Sequence, residues 1–554
     1  MKKRDYTPRL GWFTAAVVLG IAAVGLVPPF ELFGMHFESV DILSSLRADD
    51  ADGGEAVEYE ADIARLELEL AAMSAPAVEA VDTLPEPIPV RYEWILEEEP
   101  MVKRRLPRSD EVRPVSDMRI IPIEDFDTVE LSRYERLIEK MADGEEVRIA
   151  FMGDSFVEGD ILTSDLRREL QELLGGRGVG FVACDIPFAT VRKSVKRTSS
   201  GWTAYSVMKP KSTPSHLGDK FFISGYLAEG GSGATTRWES TDVYPSLGGC
   251  TRGRVLLYSR DTSRVLIEVN DSLSSEFEIA GDERVREIYV EAPIEALRVK
   301  VLEGKVLCYG ASLEGERGIT VDNFSVRSNN GHAIFGTGAT VNRQIDEMLG
   351  YDLVVLQYGL NIMQPGQRAF SRYRDQLRDM IAYAERCFPD AAILVLGVSD
   401  RWIKNEETGA YEPIGSVDAL TAYQRAAADS THVAFWNTSA AMAEFGGMPQ
   451  FVANGWAAKD YTHINFAGGK RVAEALALSL RASLYELLVE REAEAEREAE
   501  AARRRQMEYE MMLSRNLEAT TILLDTLIEA EVVVEAAEAA EAPEEEYHEG
   551  LIEE

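Results

Sequence analysis

Val147-Arg148-Ile149-Ala150-Phe151-Met152-Gly153-Asp154-Ser155 decides how this chain folds. Its apolar and β-branched residues read as a buried strand that stops at a Gly-Asp-Ser turn. A serine presented at the carboxyl end of a parallel strand stands where open α/β sheets place their ligands. Far downstream, Asp460-Tyr461-Thr462-His463 supplies a carboxylate and an imidazole three positions apart. One short loop can then hold the His ring with the Asp and aim the other ring nitrogen at a serine. The chemistry this suggests is nucleophilic acyl transfer.

Gly-Asp-Ser is also ordinary turn composition, so the pairing with a base carries the reading. Of the six histidines, His36 follows an N-terminal apolar run and His548 lies in an acidic tail. His216 falls in a Pro- and Ser-containing loop, and His432 opens a candidate strand. That leaves His463 as the base, with His332 the weaker candidate.

Outward from these stretches, strands alternate with helices. A helix is expected over 129–141 and another from Thr163, capped by Thr163 or Ser164, with Leu166, Leu170, Leu173 and Leu174 as its apolar face. Buried strands are expected at 352–357, 391–396 and 433–436, and helices over 370–387 and 466–488. The alternation predicts an α/β fold with a doubly wound parallel sheet. Between 201 and 318 the pattern changes to short alternating runs, as in 254–258, 264–269, 277–279 and 296–301, separated by Gly, Ser, Asp and Asn. That predicts an inserted β-sandwich. Within it Trp202, Tyr205, Tyr226 and Trp238 are either sugar-stacking faces or core, and core packing is the better expectation. Cys250 and Cys308 both fall in the insert and could pair in an oxidising compartment.

Four blocks occur in order: Gly153-Asp154-Ser155, Ser328-Asn329-Asn330-Gly331, Gly359-Leu360-Asn361-Ile362 and Asp460-x-x-His463. On these the chain resembles the SGNH/GDSL esterases over residues 120–185 and 318–485. The resemblance implies Ser155 as nucleophile, His463 as base and Asp460 as its orienting carboxylate. It also implies an oxyanion hole from the Ser155 and Gly331 N–H groups and the Asn361 side-chain amide, with no cofactor and no metal. The chain departs from the family at Ile362, where an acidic residue usually supports the loop. With its insert, the architecture resembles peptidoglycan O-acetylesterases, in which a carbohydrate-binding-module-like jelly roll interrupts the catalytic domain.

The chain has 554 residues and a formal charge of −37, which argues against a nucleic-acid partner. Residues 10–27 form an apolar run long enough to span a bilayer, preceded by Lys2, Lys3, Arg4 and Arg9. This predicts a single-pass anchor in a bacterial inner membrane, with the remainder on the periplasmic or extracytoplasmic face. Cleavage as a signal peptide at Ala23-Val24-Gly25 is the competing reading. The expected organisation is a cytoplasmic stub and anchor (1–30), an acidic Pro-containing linker (31–118) with a short helix over 60–73, a discontinuous hydrolase domain (119–200 and 319–488) and the insert (201–318). A charged helical extension (489–534) and a disordered acidic tail (535–554) follow. The function expected is removal of O-acetyl groups from an envelope polysaccharide, peptidoglycan among them. A polysaccharide O-acetyltransferase, partnered with a membrane acyltransferase or a helical protein, would use the same acyl-enzyme. The third reading is a non-catalytic carbohydrate-binding scaffold.

Overall fold

In a computed structural model describing residues 30–32, 35–37, 90–97, 106–188, 192–315 and 317–540, Val147–Gly153 is a strand whose seven residues are all buried. With this strand as β1, the sheet is completed by β2 (Ile319–Ser325), β3 (Leu353–Gln357), β4 (Ala392–Leu396) and β5 (Ala434–Trp436). The order is β2-β1-β3-β4-β5, and every pair is parallel. The strand order reverses between β1 and β3, which makes the carboxyl ends of these two strands the place for a ligand.

Helices cover both faces: α1 (Arg133–Ala142), α2 (Thr163–Leu174), α3 (Ala339–Leu349), α4 (Ser371–Cys387), α5 (Val417–Ser430) and α6 (Phe466–Ala540). Ile149 and Phe151 of β1 enter one core with Leu137 of α1, Leu166 of α2 and Leu480 of α6. Ala150 and Met152 enter the opposite core with Ile345 of α3 and Met380 of α4. Successive side chains leave a strand on opposite faces, so a strand covered twice has no place for the usual polar alternation.

The helix ends show what local chemistry decides. α1 begins at Arg133 because Ser132 and Glu135 form a capping box, the Ser132 hydroxyl accepting from Glu135 N–H and the Glu135 carboxylate from Ser132 N–H. In α2 neither expected cap serves. Leu162 precedes the helix with no side-chain cap, and the Thr163 hydroxyl donates to Asp160 at 2.9 Å instead. α6 buries Leu476, Leu480, Leu484 and Leu488, then runs on as one helix past the expected end at 488. Beyond it Leu513, Leu517, Leu524 and Leu527 are exposed. No helix among the described residues is long and apolar enough to cross a membrane. The expected anchor (10–27), the expected helix over 60–73 and residues 541–554 of the tail lie outside the described residues.

The insert is a β-rich body around its own core of Val179, Trp238, Val255, Ile267, Val299 and Leu313. Its strands run Leu273–Ile279, Ser263–Val269, Ala296–Glu303, Tyr226–Ser240, Lys305–Gly315, Cys250–Ser259, Val285–Ile294 and Val90–Ile95 in spatial order. One side of Lys305–Gly315 pairs with Cys250–Ser259, while the other passes from Tyr226–Ser240 to Arg177–Ala183. Val195–Ser206, paired with Tyr226–Ser240, begins before 201, and two strands lie wholly outside 201–318. Arg177–Ala183 pairs inside the insert although it precedes it, and Val90–Ile95 adds a parallel edge strand from within the stretch read as linker. Tyr226 and Trp238 are buried, and Trp202 and Tyr205 pack half-buried against the cores.

Cys250 and Cys308 do not pair: all four cysteines are free and buried. Cys308 stands opposite Leu257, seven positions along the strand from Cys250. That is roughly 24 Å, against the ~5.5 Å between Cα atoms that a disulfide spans. Burial, reinforced by the neighbouring Cys184, pushes the Cys308 thiol far above its ordinary range.

Insert and parallel sheet meet through a buried ion network. Arg148 of β1 donates to Asp322 of β2 at 2.8 Å, and to Glu314 at 2.7 Å and Ser312 at 2.8 Å on the insert. Asp322 also accepts from Tyr351 O–H at 2.8 Å and Phe181 N–H at 2.7 Å. Burial alone would raise Glu314, but Arg254 and Arg148 hold it far below the carboxylate range. Arg148→Ala would strand two carboxylates and should cost about 3–5 kcal/mol, read as a lower urea midpoint. Because the folded pKa of Glu314 is depressed, its contribution is present above the unfolded value near ~4.3 and lost as pH falls toward the folded one. Glu314→Gln should therefore flatten the loss of stability below about pH 5, and an unaltered acid profile would exclude this residue as its source.

Candidate active site

Gly153 ends β1 because the chain folds straight back: a Cβ there would lie 2.1 Å from Val157 Cγ2. Asp154 pins the turn, its carboxylate accepting from Phe156 N–H at 2.9 Å. Ser155 is left half-buried at the carboxyl end of the sheet. Its N–H makes no hydrogen bond among the described residues.

The His loop is built just before α6. One Asp460 oxygen accepts from Thr462 N–H at 2.9 Å and His463 N–H at 3.1 Å, closing a tight turn. The other accepts from His463 Nδ1–H at 2.7 Å. Between them Tyr461 takes φ +57°, a left-handed conformation costly for an aromatic residue. Stacking on Tyr411 at 4.0 Å and a bond from Trp402 N–H to its carbonyl hold it there. The Ser155 hydroxyl donates to His463 Nε2 across 3.2 Å, with the tautomer assigned from these partners. Thus the two stretches far apart in sequence meet as one Ser-His-Asp array. His332, the weaker candidate, packs its ring edge-on against Phe335 instead.

Charge follows geometry. The hydrogen bond to Asp460 raises the His463 pKa above its ordinary value against the opposing effect of burial. Burial would raise Asp460, but its bond to His463, the imidazolium charge and the two backbone donors bring it below the usual carboxylate range. Asp154 is fully buried, and burial pushes it up to about 7 despite the Phe156 N–H and the nearby His463.

The expected oxyanion donors are placed unequally. Asn361 follows β3 in the short helix Leu360–Ile362, and its amide donates to Asn329 O at 3.1 Å and more weakly to Asp154 at 3.4 Å. Gly331 N–H is already committed to Asn329 Oδ1 at 2.8 Å, which differs from the expectation of a free donor. Glycine is still required there: φ is +94°, and a Cβ would meet Met380 Cε at 2.3 Å. Asn329 ties the second and third blocks together, a role concealed in sequence by ordinary turn composition. Ile362, the departure from the family pattern, packs against the apolar core, so it steadies its loop by burial.

No protein-family model and no curated protein matches the chain. Among solved structures, one described as a peptidoglycan O-acetylesterase aligns at TM-score 0.53 and 24% identity, covering 66% of this chain and 99% of that one. A lipase/acylhydrolase from Enterococcus faecalis aligns at TM-score 0.23 and 11% identity, covering 30% of this chain and 77% of its own. A family two carbohydrate esterase from Cellvibrio japonicus gives TM-score 0.17 and 10% identity, covering 43% and 86%. The first likeness shows the fold, a doubly wound parallel sheet with a β-rich insert; the other two are too distant to carry more.

With Asp460 replaced by Asn, the His463 ring should titrate lower than in the wild type, since its largest upward influence is removed. Proton–nitrogen NMR of the ring checks this, and an unchanged midpoint would show that Asp460 does not set the basicity of His463.

Proposed function

We propose that this chain is a serine esterase of the SGNH type that removes O-acetyl groups from an envelope polysaccharide, with peptidoglycan the leading polymer. The observation carrying the proposal is the unbroken array from Ser155 Oγ to His463 Nε2 and from His463 Nδ1 to Asp460. In this reading Ser155 Oγ attacks the acetyl carbonyl carbon as His463 Nε2 takes its proton, and the carbonyl π electrons move onto oxygen. The Ser155 N–H stabilises that oxyanion; the Asn361 amide joins by giving up its weak bond to Asp154, and Gly331 can join only by exchanging its bond to Asn329. Collapse breaks the ester C–O bond, and His463 returns the proton to the leaving sugar oxygen. Water then attacks the acetyl-serine with His463 again as base, giving acetate and free Ser155. With a pKa about 7, Asp154 is only partly charged at neutral pH, which limits the repulsion it exerts on the oxyanion.

The resting place proposed for the enzyme is the outer face of an inner membrane, held by residues 10–27. An O-acetyltransferase would form the same acetyl-serine and pass it to a sugar hydroxyl. The exposed apolar run on α6 supplies a surface on which a partner protein could seat, and this favours keeping the second reading. Following acetate release and polymer acetylation in one incubation separates the two.

Ser155→Ala should lower turnover of a small acetyl ester by at least about 10³-fold with the fold intact. Asn361→Ala should lower kcat by about 10²–10³ with little change in KM. Near-normal turnover by folded Ser155→Ala protein would overturn the esterase assignment, and an effect of Asn361→Ala confined to KM would make Asn361 a binding group.

A further inference from the structure

The segment that follows β4 reaches both loops of the site through two consecutive residues. Half-buried Arg401 donates from Nη1 to the carbonyl of Leu360 at 3.0 Å. Trp402 N–H bonds the carbonyl of Tyr461, also at 3.0 Å. Leu360 immediately precedes Asn361, the proposed oxyanion donor, and Tyr461 lies two residues before His463. The segment is itself anchored. Ile414 N–H bonds Arg401 O at 3.1 Å, and Trp402–Lys404 pairs antiparallel with Tyr411–Pro413.

The Asn361 turn has use for such a tie. It follows Gly359, whose φ of +130° lies where only glycine moves freely. Its own backbone bond, from Ile362 N–H to Gly359 O, is long at 3.3 Å. Leu360 and Ile362 contribute apolar side chains to the core, which fixes depth more than direction. A charged donor on Leu360 O supplies the direction.

Arg401 also brings a charge to the base. Asp460, on the same loop as His463, raises the His463 pKa most, and burial opposes it. Asp154, in the turn after β1, raises it further, while Arg401 lowers it. A general base works only when neutral, so a cation here offsets part of what the two carboxylates do.

We infer that Arg401 is a positioning residue that braces the oxyanion donor against the base, setting Asn361 through Leu360 O and joined to the His463 loop through Trp402. Hole and base are then held by one short piece of chain. The inference rests on the esterase reading and adds a working part to it.

The test uses the full chain and a small acetyl ester such as nitrophenyl acetate. Arg401→Met should lower kcat on the alkaline plateau about 10- to 100-fold, the scale of one hydrogen bond from a charged donor, with KM within about twofold. Combined with Asn361→Ala it should cost little beyond Asn361→Ala alone, because groups acting as one unit are not lost independently. The acid limb of kcat/KM should move to higher pH in Arg401→Met, since His463 then titrates higher. Arg401→Lys, which keeps the charge, should restore the limb and part of kcat. Thermal unfolding of each variant reports on the fold, and if Arg401→Met does not fold, Arg401→Gln carries the same readings. Multiplying losses in the double variant, or an acid limb left at the wild-type pH, would overturn the inference. Should the wild type turn over no ester, the esterase reading fails, and NMR of the folded chain decides the brace separately. A raised His463 midpoint together with shifted Asn361 side-chain amide signals in Arg401→Met supports it, and either one unchanged removes it.

Discussion

Arg148 constrains the whole molecule. It is a guanidinium buried in the strand that delivers Ser155, where an unpaired charge would be prohibitive. Its partners come from two places: Asp322 on the neighbouring strand, and Glu314 with Ser312 on the insert. The insert is therefore electrostatically part of the catalytic sheet. The same logic runs outward through Arg254, which bonds Glu287 at 3.1 Å and the carbonyl of Met348 at the end of α3, and Glu287 in turn takes Arg91 from the edge strand. A chain of buried charges thus fixes the insert against the sheet without any covalent bridge.

On that fixed frame the site occupies the reversal in strand order. Ser155 leaves β1 and Asn361 leaves β3, so the proposed nucleophile and oxyanion donor stand on rigid ends whose spacing the sheet sets. The third participant is on a loop, and the loop is held by strain: Tyr461 stays left-handed because Tyr411 stacks on it and Trp402 bonds it. The placement of His463 thus depends on Tyr411 and Trp402, which stand outside the Ser-His-Asp array.

What was legible in the sequence was what periodicity and motif spacing encode. The buried runs of β1, β3, β4 and β5 were visible because both faces are covered, and the Ser155, Asp460 and His463 array was visible because its residue types are rare in combination. β2 was not read as a strand, since Asp322 and Asn323 interrupt its apolar pattern, and they do so because they hold Arg148 and the turn after Ser155. The commitment of Gly331 N–H to Asn329 and the recruitment of Val90–Ile95 are tertiary outcomes that no local pattern carries. The separation of Cys250 from Cys308 follows from strand register, which spacing along the chain does not determine.

The buried network also sets an order of assembly. During synthesis β1 emerges long before β2, because the whole insert lies between them. Until Glu314 and Asp322 have been made, Arg148 has no counter-charge, and β1 cannot settle into an interior without a large penalty. The sheet must then form late, by contacts distant in sequence, which is the slow regime of folding. Meanwhile the insert can assemble from neighbouring hairpins such as Ser263–Val269 with Leu273–Ile279. The nascent chain therefore carries an apolar, unpaired β1 for as long as the insert takes to appear, a window in which a holding chaperone would protect it from aggregation.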